Sequence, residues 1–146
     1  MRTCICSPCG ILGYGFPQES FRRALAEKPD AIVVDAGSTD AGPHKLGAGV
    51  AIVSRMAAKK DLRLLMQGAR ELDIPLVIGS AGGSGARTHT EWTLSIIREV
   101  CAEMDWHPKT AVIWADISNE VILDAMAQGR IEKTERKRAG SHAQKP

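Results

Sequence analysis

Aromatic side chains are scarce in this 146-residue chain: two Phe, three Trp and one Tyr, 4% in all. A core must therefore be filled by aliphatic side chains. No apolar run approaches the ~18 residues of a membrane span. The N-terminus lacks the basic-then-apolar pattern of a secretory signal, which points to a cytoplasmic protein. Four cysteines in such a compartment are expected as reduced thiols. A strong charge of one sign is also missing, since the net charge is +2. Five of the 19 basic residues fall in 132–146, leaving 14 basic and 15 acidic groups before them. The body therefore carries no electrostatic footprint for nucleic acid. The basic end, 132–146, reads as a disordered tail and 1–131 as one domain.

What is present is ordinary globular composition, 44% hydrophobic and 25% charged. Apolar strand patterns alternate with amphipathic helical ones. Cys4 to Ile11 reads as a weak first strand broken by Pro8. A helix opening near Pro17 follows, then a strand over Ala31–Val34 and a long loop to about Ser54. Ala57–Leu72 carries Leu62, Leu65, Ala69 and Leu72 on one helical stripe, and Pro75 stops it. Leu76–Ile78 is the next strand. Thr88 and Glu91 have the spacing of a capping box for a helix that buries Trp92, Ile96, Ile97, Val100 and Met104. Ala111–Ala115 reads as a fourth buried strand. A helix over Asn119–Gln128 ends at Gly129.

Short strands apolar on both sides, alternating with helices, predict an α/β fold: an open, mostly parallel sheet with helices on both faces, a Rossmann-like three-layer arrangement. In such sheets ligands bind beyond the carboxyl ends of the strands. Those ends are rich in Gly, Ser, Thr and Asp here: Gly10–Gly15, Asp35–Pro43, Gly79–Gly85 and Asp116–Ser118. Glycine lets a ligand approach the backbone, and hydroxyls with bare N–H groups suit a carboxylate or phosphate. A small anionic ligand is therefore expected at Gly37, Ser38, Thr39, Gly42, Ser80, Gly82, Gly83 and Asp116. Asp35 and Asp40 are the candidate catalytic groups, handling protons or a metal.

Neither the P-loop nor the dinucleotide fingerprint is present. No Gly-Lys-Ser/Thr closes the Gly79–Gly85 loop, and Gly10–Gly15 departs from the dinucleotide fingerprint. No cofactor is indicated. Cys4, Cys6 and Cys9 form one C-x-C-x-x-C group without a second ligand pair, so no metal site is predicted and small packed thiols are the expectation. His44 and His89 lie in or beside the loops, where either could serve as an acid or base.

The runs Leu12-Gly-Tyr-Gly-Phe-Pro17, Val34-Asp-Ala-Gly-Ser-Thr-Asp-Ala-Gly-Pro43 with Leu46-Gly47, and Ile78-Gly-Ser-Ala-Gly-Gly83 resemble the acyclic terpene utilisation (AtuA-like) family. The similarity runs from about residue 7 to Ile131. The resemblance implies a bacterial catabolic protein, in some cases acting on terpenoid acids carried as CoA thioesters. The resemblance transfers a site more readily than a reaction; the first functional reading is an enzyme domain, a lyase or hydratase, for a small carboxylate or its CoA ester. Family members are typically longer, so the resemblance also implies a missing C-terminal part or a homo-oligomer to cover the domain. Two other classes stand beside this one. Asp-x-Gly-Ser-Thr also resembles the phosphate loop of nucleotide-dependent phosphotransferases, where it sits in a hairpin between two strands. A non-catalytic binding subunit is the third reading.

Overall fold

The computed structural model describes residues 2–37 and 42–131. The predicted site residues Ser38, Thr39 and Asp40 and the basic tail lie outside them. The chain divides into two units, one up to Asp116 and one beginning at Ile117.

The first unit is mixed α/β around a small, open, parallel sheet. Strands β1 (Ile5–Cys6), β2 (Ala31–Asp35) and β3 (Leu76–Gly79) lie in the order β1-β2-β3. Ile5 is in register with Ala31, Ile32 with Leu76 and Val34 with Ile78. Backbone bonds extend the ladders at both ends: Asp30 N–H donates to Cys4 C=O, and Ala36 N–H to Gly79 C=O. β1 is only two residues long. Pro8, two residues after it, can supply no ladder donor.

Helix α1 (Gln18–Ala26) starts after Pro17, whose φ of −66° is already that of a helix. It buries Phe21, with Phe16 edge-on to it at 5.2 Å. Helix α2 (Gly42–Ala48) occupies part of the region read from sequence as loop. A seven-residue helix offers too short a stripe for periodicity to register. Helix α3 (Arg55–Leu72) is capped by Ser54, whose hydroxyl accepts from Ala57 N–H at 3.2 Å. It ends at Asp73 in the left-handed conformation, φ 52°, before Pro75. Leu62, Leu65 and Ala69 are buried as the stripe predicts, joined by Ala58, Met66 and Gly68.

Helix α4 (Arg87–Glu103) buries Ile96 and Val100, while Trp92, Ile97 and Met104 pack partly buried at the core margin. It starts one residue before Thr88, with Ala86 at the N-cap and no side-chain cap of its own. The predicted Thr88–Glu91 capping box is therefore not formed. Asp116 takes its place: its carboxylate accepts Arg87 N–H at 3.0 and 3.2 Å.

Burial alternates along the sheet. Ile32 and Val34 are inaccessible, whereas Val33 is half-buried and Ile5 and Val77 are about 50% exposed. The strand order explains this. Crossovers between parallel strands are right-handed, so an order that only ascends puts successive connecting helices on one face. α3 packs on β2 and β3, and α4 packs on α3.

The fourth predicted strand is a correction. Residues 111–115 form no strand, and Ile113 is 91% exposed. An apolar run sets a propensity but does not choose its partner. Here the run is tethered at α4 instead of lying along β3. Ala115 N–H donates to Gly85 C=O at 3.2 Å, Arg87 stacks over Trp114 at 4.3 Å, and Asp116 caps the helix.

The second unit contains helix α5 (Asn119–Ala127), with Ser118 accepting Val121 N–H at 3.4 Å. Gly129, φ 65°, follows its end as the sequence predicts. Of the predicted inward residues only Ala125 is buried; Val121, Ile122 and Met126 are exposed. Among the described residues no helix is long and apolar enough to cross a membrane.

Candidate functional site

Parallel pairing puts the carboxyl ends of β2 and β3 side by side, and the loops that leave them meet. Asp35 is the last residue of β2, in register with Gly79, the last of β3. Its exposed carboxylate turns back to accept Gly37 N–H at 2.9 Å, an Asx-type turn at the end of the strand. Gly37 then lies against Ser80: a Cβ built on Gly37 would stand 2.6 Å from the Ser80 Cβ. Ser80 holds φ 48° and ψ 41°, a left-handed backbone that a non-glycine residue adopts at some cost.

The Gly-rich loop after β3 makes one 3-10 turn over Ala81–Gly83 and then leads into α4. Gly82 is buried with φ 72°, and a Cβ there would lie 2.4 Å from the His89 carbonyl oxygen. Only glycine fits that approach. Ser84, at the end of the turn, stands 2.7 Å through its Oγ from His89 Nδ1. The same oxygen accepts Ala86 N–H at 3.3 Å. His89 is 2% exposed.

The first loop joins the same edge. Leu12 N–H donates to the Asp35 carbonyl at 2.8 Å. The loop is then held by Asp61, a buried carboxylate on α3 that accepts Gly13 N–H at 2.8 Å and Gly15 N–H at 2.9 Å. Two backbone donors are an ordinary way to satisfy a buried carboxyl oxygen.

Of the residues expected from sequence, Asp35, Gly37, Ser80, Gly82 and Gly83 therefore gather at the carboxyl edge of β2 and β3. Gly42 is the first residue of α2. Asp116 has a structural occupation as the cap of α4, so the first N–H of that helix is already bonded to a carboxylate. His44 is exposed on α2. Sequence reasoning included Ser84 only as part of the Gly79–Gly85 loop, with no role of its own, and passed over Asp61. For Ser84 a signal existed: a hydroxyl between two glycines, five residues before a histidine at a helix start. Asp61 had none, because a single Asp on a helical stripe looks like any solvated carboxylate.

The cysteines are free thiols: Cys4 exposed, Cys6 buried, Cys9 and Cys101 half-buried. Burial pushes the thiols of Cys6, Cys9 and Cys101 upward, with Asp61 adding to the effect at Cys9. No three His, Cys, Asp or Glu side chains come together as a metal would need among the described residues. An apolar groove of about 450 Å³ lies away from the loops, along α4, lined by Leu94, Ile97, Cys101, Trp106 and Val112. Comparison with protein-family models, with curated proteins and with solved structures finds no match to this chain.

Proposed function

We propose that this chain is a catabolic enzyme domain that binds a small carboxylate or its CoA ester at the Gly- and Asp-rich edge of the sheet. The resemblance to acyclic terpene utilisation proteins supplies the substrate class, and a lyase or hydratase reaction is the corresponding chemistry. The observation that carries the reading is the packing of Asp35–Gly37 against Gly79–Ser80. It forms a strained, glycine-dependent junction where parallel α/β sheets bind ligands. In this reading Asp35, with Asp40, handles the proton. Ser38, Thr39, Gly42, Ser80, Gly82 and Gly83 hold the anion or the acyl oxygen, and Asp116 supports the site by fixing the start of α4. A Rossmann-like three-layer form belongs to the same reading. The half-exposed apolar Ile5 and Val77 are what a further layer would cover.

One observation favours this over a nucleotide-dependent phosphotransferase. β2 runs parallel to both of its neighbours, so Asp35–Gly37 lies in no hairpin. The test is titration of the ¹⁵N-labelled chain with isovalerate and with acetyl-CoA, followed by amide shifts. Shifts confined to Asp35–Gly42 and Gly79–Gly85, abolished by Gly37→Ala, are expected. Shifts elsewhere, or none at millimolar ligand, would overturn the proposal.

A further inference from the structure

The Ser84–His89 pair has a hydrogen-bond imbalance that points to a ligand contact. His89 Nδ1 meets Ser84 Oγ at 2.7 Å, yet its Nε2 is buried with no hydrogen-bond partner among the described residues. Only two neutral tautomers exist. If Nε2 carried the proton, a donor N–H would be buried unpaired, and Ser84 would give its only proton to Nδ1. If Nδ1 carries the proton, the unpaired group is an acceptor lone pair. Buried unpaired donors are rarer than buried under-satisfied acceptors, which favours the second arrangement. Ser84 Oγ then receives two N–H bonds, from His89 Nδ1 and from Ala86 at 3.3 Å. Both lone pairs of the oxygen are engaged, and its own O–H has no acceptor within this loop. Gly82 holds the arrangement in place, because its Cα sits against the His89 carbonyl where no side chain fits.

We propose that Ser84 donates its hydroxyl proton to the acyl or carboxylate oxygen of the ligand, and that His89 is a neutral positioning residue that fixes this proton's availability. The inference rests on the reading of the site given above and adds to it a donor and the tautomer behind it.

The tautomer is read directly by long-range ¹H–¹⁵N correlation of the His89 ring in the ligand-free chain. The Nδ1–H form is expected, and the Nε2–H form would overturn the proposal. The second arm titrates isovalerate and acetyl-CoA into three variants. Ser84→Ala is expected to bind roughly 10- to 100-fold more weakly, the range for one hydrogen bond to a charged group. His89→Leu should match it. His89→Asn should restore binding to within a few-fold, since its amide can still donate to Oγ. If the wild-type chain binds and Ser84→Ala binds equally well, this inference falls and the site reading stands. If the wild-type chain binds neither probe, the site reading falls and takes the ligand role of Ser84 with it.

Discussion

At Gly82 and Gly68 the same missing methyl group has different consequences, because different atoms stand beside it. A Cβ at Gly82 would meet backbone, the His89 carbonyl at 2.4 Å, on a residue whose φ of 72° already disfavours a side chain. Neither the helix nor the turn can yield without losing its hydrogen bonds. Gly82→Ala is expected to cost about 3 kcal/mol, combining left-handed strain with the clash. At Gly68, inside α3, a Cβ would meet the Leu25 Cδ1 at 2.8 Å and the Phe21 ring at 3.0 Å. Those are side-chain ends that can rotate, and Ala gains about 1 kcal/mol of helix propensity over Gly. Gly68→Ala is expected to fall within about 1 kcal/mol of the parent, in either direction. Urea unfolding of the two variants measures the contrast. Equal losses would show that the Gly82 turn is free to relax. The residue scale also explains Asp61, whose buried carboxyl group is satisfied by two backbone donors from the first loop.

Between elements, the contact of α3 with α4 is laced by charge. Arg55, Lys59 and Arg63 on α3 face Glu99 and Glu103 on α4, with Arg55–Glu99 at 2.9 Å and Lys59–Glu103 at 2.6 Å. Lys59 also meets Glu99, and Arg63 meets Glu103. The hydrogen bond from Lys59, then that from Arg55, holds the Glu99 carboxyl below its ordinary value of 4.5. A depressed carboxylate stabilises the fold above the unfolded-state value and loses that contribution as pH falls through the folded one. The wild-type chain is therefore expected to melt above Glu99→Gln at pH 7, with the gap closing as pH drops below about 4.5. The gap should also shrink in 1 M salt, since these groups are partly exposed. A gap that is constant from pH 7 to pH 3 would show that Glu99 contributes through packing and not through charge.

For the chain as a whole, apolar surface is left over in places that tend to pair. β3 bonds only to β2 among the described residues, and Val77 beside that edge is half-exposed. Ile113 stands almost fully in solvent within an extended apolar run. Unpaired strand edges and apolar extended segments are templates for association. Ile113→Ser is expected to leave the unfolding free energy within about 0.5 kcal/mol of the parent, as for an exposed site. It should also lower the apparent mass in sedimentation at high protein concentration. If residues 111–115 instead formed a buried strand in solution, the same substitution would cost 2–4 kcal/mol, roughly that of other large-to-small core changes. That result would restore the fourth strand expected from the sequence.

The sequence by itself determined whatever depends on near neighbours along the chain. The α3 stripe and its stop before Pro75, and the glycine after α5, are local, and so were legible. The short apolar runs at 31–34 and 76–78 announced parallel strands, and the Gly-rich segments after them announced a shared edge. Only the tertiary structure decided which apolar runs found partners. Ala111–Ala115 has the same pattern as β2, but Asp116, Trp114 and Ala115 bind it to the start of α4, and a sequence pattern carries no term for that competition. The tertiary structure likewise placed Asp116 as the cap of α4, and joined Ser84 to a histidine whose second nitrogen has no hydrogen-bond partner among the described residues. Hydrogen-bond partners far apart in sequence cannot be read from spacing, because distance in the chain sets no distance in the fold.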